Sequence, residues 1–484
     1  MTTPLRIGTT RQLFVDDFIV EEMQGVTRCL HQPAKYAGNP VLSPLYPWEG
    51  RVALYGTVMR DPRDGTFRMW YQGYGGMGVP ALDFDQAGSP WTGFDARNLL
   101  YTIGYATSAD GVFWERPNLG LVEYDGSRVN NLVLLDAAYA NVIEDAREED
   151  PERRYKSLFF EARDPAGTPN MGDGVSVAFS PDGLRWTKYA GNPVIRRSND
   201  THALLGWDDR HGCFVGYCRP SVHEGNRTRR IGRAVSPDFV TWSDPVDVLE
   251  PDAQDPPGTE FYGMPVFKYE GLYLGQLLVL RAPPEEPQIR FSGRVDVQLT
   301  VSRDGVHWQR ACDRQPFLPN GPPGTIDAGE IYAARAPVAV GDELWFYYST
   351  CAQEHGITGR SGPICLAKLR RDGFVSLSAA DGGTVVTRPF RCEGGALYVN
   401  AAARGGAISV AVLGAGGVQK PDLGRADCAV IDGDSVRQRV TWRQHVGLDE
   451  LRGQAIRLKF HLDRARLYSF MQAGGSGEGA PADR

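Results

Sequence analysis

The chain has 484 residues, with 52 Lys and Arg against 59 Asp and Glu, and its formal net charge is −7. This mildly acidic balance argues against a nucleic-acid partner held by a general basic field. No apolar run approaches the ~18 residues that a membrane-spanning helix needs, and residues 1–10 contain no apolar secretory segment. We therefore expect a cytoplasmic protein without a membrane partner.

The 57 Gly and 33 Pro residues indicate a chain rich in turns, and the elements predicted along it are strands. Residues 12–20 form a first, isolated strand. It belongs to an N-terminal segment, residues 1–40, that either closes the last unit of the repeat described next or braces the C-terminal domain. The eight Cys residues form no CxxC pair, which favours reduced thiols over a disulfide framework.

One short pattern recurs: a Ser, an Asp two residues later, usually a Gly next, and a Trp four residues after the Asp. Its copies are residues 108–114, 180–186, 236–242 and 302–308, with a degraded fifth copy at 371–374. Asp-Gly favours a tight turn, because Gly accepts positive φ and Asp bonds to its own backbone. The four Trp residues are expected to be core residues beneath these turns.

Predicted strands precede each turn, and they divide the chain into five antiparallel four-stranded units. In the first unit the strands are residues 54–59, 67–72 and 101–107. Radial repetition of four-stranded sheets is typical of a β-propeller. We therefore predict an all-β fold, with a five-bladed β-propeller over residues 1–378. A β-sandwich over 379–472 and a disordered tail over 473–484 follow it.

This arrangement resembles glycoside hydrolase families 32, 43 and 68, and bacterial proteins similar to the family 32 N-terminal domain. The family 130 mannoside phosphorylases are looser relatives. The likeness is carried by Leu13-Phe-Val-Asp-Asp17-Phe-Ile, Asn39-Pro-Val-Leu42, Phe261-Tyr-Gly-Met-Pro265, Tyr269-Glu-Gly-Leu272, Arg371-Asp-Gly-Phe-Val-Ser-Leu377 and Leu467-Tyr-Ser-Phe470. It implies a bacterial enzyme acting on glycosides. The opening nucleophile motif of family 32 is missing from the sequence, and the two Arg-Asp-Pro triplets, at 60–62 and 163–165, are interpreted as turns.

Carboxylates cluster where the first strands of the blades begin. In a propeller these strands line the central channel, so their N-terminal ends meet at one mouth. Four of the five mouth positions carry an acid: Glu49, Asp200, Glu260 and Glu330. Glycoside cleavage needs one protonated and one ionised carboxyl group, and crowding separates the pKa values of neighbouring acids.

We expect the catalytic pair to come from these four acids, without deciding which two act or whether the anomeric configuration is retained. By position, the family resemblance implies that Glu49 is the nucleophile or base and that Asp200 lies near the acid's place. The alternative is that these acids cap strands, pair with Arg or bind a structural cation on the axis.

Other polar and aromatic residues at the mouths and at the ends of the second strands are candidates for substrate binding. They are Arg51, Tyr71, Gln72, Asn141, Glu161, His202, Arg219, Tyr262, Arg281, Asp327, Tyr332 and His355. The basic insert 219–230 either holds an acidic sugar or phosphate, or is a solvated loop paired with acids. The aromatic loop 74–98 either stacks on a sugar or is covered by a neighbouring subunit of a homo-oligomer.

No His/Cys cluster has the spacing of metal ligands, so neither a metal nor a cofactor is predicted, and an axial structural cation is left open. These features favour a glycoside hydrolase that cleaves small oligosaccharides or glycosides. A phosphorolytic enzyme like family 130 and a carbohydrate-binding propeller without catalysis are the alternatives.

Overall fold

The computed structural model describes residues 3–75, 100–161, 174–220, 228–283, 292–356 and 362–473. Within these ranges the chain forms strands and three single-turn 3-10 helices, Pro151–Arg153, Cys312–Arg314 and Asp449–Leu451. None of the helices in these ranges is long and apolar enough to cross a membrane. Nearly all of the aromatic loop 74–98 and the predicted disordered tail, and most of the basic insert, lie outside the described residues.

By their pairing, the strands outside the two-sheet sandwich are grouped here into propeller units called blades 1 to 5. The N-terminal strands are β1 Gln12–Leu13, β2 Val20–Gln24, β3 Thr27–Leu30 and β4 Ala34–Lys35. Blade 1 contains β5 Val52–Arg60, β6 Phe67–Gly75, β7 Leu100–Ser108 and β8 Leu132–Leu135. Blade 2 contains β9 Ala137–Glu144, β10 Tyr155–Glu161, β11 Ser176–Ser180 and β12 Thr187–Lys188. Blade 3 contains β13 Ser198–Asp208, β14 Cys213–Pro220, β15 Ile231–Ser236 and β16 Val246–Leu249.

Blades 4 and 5 belong to one continuous sheet. Blade 4 contains β17 Thr259–Gly263, β18 Val266–Tyr269, β19 Leu272–Arg281, β20 Arg294–Ser302, β21 Gln309–Arg310 and β22 Pro316–Leu318. Blade 5 contains β23 Glu330–Ala333, β24 Val338–Val340, β25 Glu343–Cys351 and β26 Ile364–Arg370. Among the first strands, β5 contacts β9, β9 contacts β13, β13 contacts β17, and β23 contacts β5. Between β17 and β23 the rings of Tyr262 and Tyr332 lie 5.2 Å apart.

Each repeated turn joins the third and fourth strands of its blade and is held by its own side chains. In blade 1, Asp110 Oδ1 accepts the backbone N–H groups of Val112 and Phe113 at 2.8 and 2.9 Å. Ser108 Oγ accepts the N–H of Gly111 at 2.8 Å, and Gly111 has a φ of 75°. The hydrogen bond from Phe113 is the largest influence on Asp110, and the pKa of this carboxyl is lowered.

These turns dock on the preceding blade. Tyr347 of blade 5 donates its hydroxyl proton to the carbonyl of Gly111 at 2.7 Å, which joins the last blade to the first. Trp70 Nε1 makes the equivalent bond to Gly183 and Tyr217 Oη makes it to Gly305, both at 2.7 Å. The turn Trp residues 114, 186, 242 and 308 were predicted to be core, but they are half-buried against the clusters between blades. Their rings pack against the apolar side chains of these clusters.

The outer edge of blade 5 is completed by the N-terminal segment. Strand β4 pairs with β26, and Asn39 then bonds to both backbone groups of Leu366, at 2.8 and 2.9 Å. Asn192 does the same to Val177 in blade 2, at 2.9 and 3.0 Å. Residues 35–41 and 188–194 both read Lys-Tyr-Ala-Gly-Asn-Pro-Val. One sequence therefore builds the outer edge of two blades, and the N-terminal copy closes the ring.

The N-terminal segment also pairs with strands of the sandwich. The remaining sandwich strands are β27 Val375–Ala379, β28 Gly383–Thr387, β29 Phe390–Arg391, β30 Ala396–Ala402, β31 Ala407–Gly414, β32 Asp434–Val440, β33 Ala455–Asp463 and β34 Ala465–Ala473. Strand β1 pairs with β34, β2 with β28 and β3 with β27. Strand β27 also pairs with β34, and so joins the same sheet as β3 and β30.

The predicted fold class, an all-β propeller followed by a sandwich, is confirmed. The two sheets of the sandwich enclose their own apolar core, which includes Phe14, Phe460 and Phe470. All eight Cys residues lie in the described part of the chain, and no disulfide joins any two of them.

The contribution of turn docking to stability can be measured with two glycines of similar φ, Gly111 and Gly126. A Cβ at Gly111 would lie 2.6 Å from Tyr347 Oη and 2.8 Å from a Trp345 ring atom, whereas one at Gly126, with φ 73°, would meet nothing within 4 Å. We expect Gly126→Ala to cost about 1 kcal/mol of unfolding free energy through backbone strain alone. Gly111→Ala should cost about 2 kcal/mol more through overpacking. Equal losses in denaturant unfolding would contradict the docking contact.

Candidate active site at the propeller mouth

Four tyrosines from blades 1, 2, 4 and 5 meet near the N-terminal ends of the innermost strands. The ring centroid of Tyr55 lies 4.5 Å from that of Tyr139 and 4.8 Å from that of Tyr332. Tyr262 lies 5.2 Å from Tyr332. Burial, and then the other tyrosines, raise the pKa of Tyr55 well above its usual value, so it stays protonated. We call these four residues the tyrosine cluster.

Glu330 stands at the start of β23 and is fully buried beside this cluster. Its Oε1 accepts the hydroxyl proton of Tyr332 at 2.7 Å, and its Oε2 lies 3.3 Å from Arg51 Nη2 of blade 1. Burial opposes the charge of Arg51, but Glu330, Tyr74 and other nearby groups together outweigh it, and the pKa of Arg51 is raised. Arg51 and Tyr332 thus hold the two oxygens of Glu330.

Glu260 reaches the same cluster from blade 4. It is buried, and its Oε2 lies 2.7 Å from Arg229 Nη1 of blade 3. The guanidinium carbons of Arg219 and Arg229 lie 4.7 and 5.6 Å from the centroid of the Tyr262 ring, and the His355 ring lies 5.1 Å from it. The Tyr262 ring is thus surrounded by cationic and imidazole groups next to Glu260.

Glu49 belongs to a different network. Its Oε1 accepts Tyr71 Oη at 2.5 Å and Arg116 Nε at 2.7 Å, while its Oε2 accepts the backbone N–H groups of Leu45 and Tyr46 at 2.6 and 3.1 Å. Tyr71, predicted to bind substrate, is buried in the same network. Glu49 is therefore held by four protein donors outside the tyrosine cluster, and this network gives it a structural role.

Three other predicted residues lie at or just below the tyrosine cluster. His202 is buried, with its ring 6.4 Å from that of Tyr139. Gln72 Oε1 accepts the backbone N–H of Tyr139 at 2.9 Å. Asn141 donates to the carbonyls of Tyr55 and Tyr139 and accepts the N–H of Leu204, so it ties the innermost strands together. The side chain of Asp200 lies outside the described residues.

The remaining predicted residues engage partners in their own surroundings. Glu161 pairs with Lys188 of blade 2 at 2.8 Å. Asp327 pairs at 2.5 Å with Lys35 of the closing strand β4. Arg281 lies 3.0 Å from Asp296, where burial raises the pKa of the carboxyl although Arg281 opposes it. The structure thus gives Glu161 and Asp327 ion-pair partners on the outer strands β12 and β4.

Sequence reasoning missed four residues that matter at the mouth: Tyr55, Tyr139, Arg116 and Arg229. Tyr55 lies inside a predicted inner strand, residues 54–59, and that position was the available signal. Tyr139 lies two residues before Asn141, outside any predicted strand. Arg229 lies in the basic insert, which was considered only as a whole. No local pattern pairs Arg116 with Glu49, because the two residues are far apart in sequence.

Below the tyrosine cluster the channel is crossed by Arg335 of blade 5. Its backbone N–H bonds to Gly56 of blade 1 at 3.0 Å, and its Nη1 reaches the carbonyl of Leu205 in blade 3 at 3.3 Å. Burial lowers the pKa of Arg335 to about 10. Among the described residues, no group of three or more His, Cys, Asp or Glu is placed to hold a metal ion.

No protein-family model and no curated protein matches the sequence. Solved structures similar to this chain include a β-1,2-mannobiose phosphorylase from Listeria innocua bound to β-1,2-mannobiose, with 15% identity over 70% of this chain and 96% of that chain and a TM-score of 0.49. Another comes from the GH130 family of mannoside phosphorylases, which contains glycoside hydrolases that target β-1,2-mannosidic linkages in Candida mannan. It shows 15% identity over 71% and 94% of the two chains and a TM-score of 0.47.

A third similar structure is an N-acetylgalactosamine deacetylase from F. plautii in complex with blood group B trisaccharide. It shows 15% identity, covers 72% of this chain and 96% of that chain, and has a TM-score of 0.43. Since no family model matches, the membership of family 32, 43 or 68 suggested by the sequence resemblance is not shown.

The structural role of Glu49 predicts a loss of stability in Glu49→Gln. The exchange leaves the half-buried Arg116 without its carboxylate, so we expect a loss of about 3 kcal/mol in unfolding free energy. Denaturant unfolding measures it. Glu343→Gln, which changes a side chain that is 48% exposed, is the control and should shift stability by less than about 0.5 kcal/mol. A stable Glu49→Gln protein that has lost its activity would contradict the structural role.

Proposed function

We propose that the protein cleaves glycosidic bonds in small oligosaccharides or glycosides, with Glu260 and Glu330 as its working carboxylates. One observation carries the proposal: two buried carboxylates from neighbouring blades adjoin the rings of Tyr262 and Tyr332, and each lies beside an arginine. Glycoside cleavage by this mechanism uses two carboxyl groups on either side of the anomeric carbon.

The groups of the mouth suit the steps of this reaction. Glu330, held by Arg51 and Tyr332, fits the ionised nucleophile or base. Glu260 takes the acid role, which requires the bound sugar to loosen its contact with Arg229. Asp200, by its place in the sequence, is a further candidate for the acid. The tyrosine faces offer a surface on which a sugar ring can stack.

The channel geometry favours attack on a terminal sugar. Arg335 and the inner strands occupy the axis below the tyrosine cluster, so a chain end enters from the mouth and stops there. Short substrates suit such a blind site better than the interior of a polymer.

Phosphorolysis is the second candidate, and a specific observation favours it. Arg219 and Arg229 both lie against Tyr262, close to Glu260. Guanidinium groups are well suited to bind phosphate through paired hydrogen bonds. Phosphate bound there would replace water as the attacking nucleophile, and Glu260 would still protonate the leaving group.

The test is a screen of aryl glycosides and short oligosaccharides, with and without inorganic phosphate. We expect Glu260→Gln and Glu330→Gln to lower kcat by about 1000-fold or more, because each loses a group that acts in the transition state. Glu343→Gln, at the opposite end of blade 5, is the matched control and should keep full activity. Dependence on phosphate would identify the phosphorolytic reaction.

Two outcomes would contradict the proposal. Turnover that survives in both variants would remove the carboxylates from the mechanism. A folded wild-type protein that binds sugars tightly and turns over none of them would favour a carbohydrate-binding propeller without catalysis.

A further inference from the structure

Two buried hydrogen-bond donors of blade 1, Arg51 Nε and Gln72 Nε2, have no partner among the residues that the structure describes. Arg51 is 8% exposed and Gln72 is 2% exposed. A buried donor without an acceptor loses its hydration and gains nothing in return, so such groups are rare in folded proteins. Two of them beside the proposed site call for an explanation.

The orientation of the Gln72 amide is fixed by its other end. Its Oε1 accepts the backbone N–H of Tyr139 at 2.9 Å. Exchanging the amide oxygen and nitrogen would set an NH2 group against that N–H, where neither could accept. Nε2 is therefore the end that is left to donate.

Both donors lie on one face of blade 1. Gln72 and Tyr74 are two residues apart on β6, and alternate side chains of a strand project from the same face. Arg51 packs on that face, since its guanidinium carbon lies 5.4 Å from the Tyr74 ring centroid. The face adjoins the tyrosine cluster, because Gln72 bonds to Tyr139 and Arg51 bonds to Glu330.

We infer that Arg51 Nε and Gln72 Nε2 donate to two adjacent oxygens of the bound sugar, and that the site thereby selects a neutral sugar by its hydroxyl pattern. The inference rests on the proposed function. A neutral sugar fits at this face because Glu330 already balances the charge of Arg51 and would repel a sugar carboxylate there. A site with buried donors discriminates strongly against analogues that lack the matching hydroxyl.

Gln72→Glu isolates the donor. The exchange keeps an oxygen for the N–H of Tyr139 and removes the NH2 group at almost constant volume. Gln472→Glu is the matched control: Gln472 Oε1 accepts the backbone N–H of Glu393 at 3.0 Å, and its Nε2 also has no partner within the described ranges, but it lies in β34 of the sandwich. Thermal unfolding of both variants reports whether they fold.

The measurement is calorimetric titration of wild type and both variants with neutral hexoses and pentoses and their monodeoxy analogues, alongside turnover of the aryl glycosides. Wild type should bind analogues lacking either of two neighbouring hydroxyls about tenfold to a hundredfold more weakly. Gln72→Glu should bind the parent sugar more weakly by a similar factor and become insensitive to one of the two positions. Gln472→Glu should behave like wild type.

The outcomes separate this inference from the proposed function. Turnover whose hydroxyl dependence is unchanged in Gln72→Glu would overturn the inference and leave the enzymatic function standing. Sugar binding whose hydroxyl dependence is altered in Gln72→Glu, with no turnover, would support the inference and contradict the enzyme. Neither binding nor turnover across the panel would contradict both. If Gln72→Glu and Gln472→Glu change sugar binding equally, the unpartnered amide of Gln72 has no specific part in binding. That result would overturn the inference.

Discussion

The hydrogen bond between a Ser-x-Asp-Gly turn and an aromatic side chain of the preceding blade is the contact on which the rest of this molecule depends. Trp70, Tyr217 and Tyr347 each donate such a bond, and Tyr347 makes it across the junction of the last and first blades. In the blade 3 turn, Phe239 stands in the glycine position at φ 72° and packs on Phe179 of blade 2, with ring centroids 5.8 Å apart. The repeated turn thus sets how neighbouring blades meet.

Fixed blade junctions explain how distant residues come together at the mouth. Arg51 of blade 1 pairs with Glu330 of blade 5, and Arg229 of blade 3 pairs with Glu260 of blade 4. Both ion pairs cross a junction between blades, so neither could form in an isolated blade. Buried ion pairs of this kind gain little stability over apolar packing, but breaking one is costly, and positioned charges are what catalysis requires. Ring closure is therefore as important for the site as for the fold.

Much of the fold could be predicted because its signals are local. An Asp-Gly turn followed by a Trp specifies its own hydrogen bonds, and repetition then implies the propeller. The identical segments 35–41 and 188–194 were also available in the sequence, and they would have assigned the closing strand, since in the structure both complete the outer edge of a blade. Repeats separated by more than 150 positions are easily missed when neighbouring units are compared.

The candidate site was predictable only in part. Glu260 and Glu330 lie at the starts of the inner strands β17 and β23, the place that the repeat pattern assigns to mouth residues. Glu49 obeys the same rule, but its carboxylate folds back onto Leu45 and Tyr46 and pairs with Arg116. Whether such a carboxylate faces the mouth or folds back onto its own loop is decided by side-chain packing between elements remote in sequence. No local pattern encodes this choice.

The most direct test of the account is a crystal structure of the Glu330→Gln protein with the glycoside that wild type turns over fastest. The account predicts a sugar ring against Tyr262 and Tyr332, with the glycosidic oxygen within hydrogen-bonding distance of Glu260. It also predicts that the amide introduced at position 330 lies on the opposite side of the anomeric carbon, with a carboxyl separation in the range of about 5–10 Å used by glycosidases. A sugar bound away from this mouth, or a glycosidic bond beyond the reach of Glu260, would contradict it.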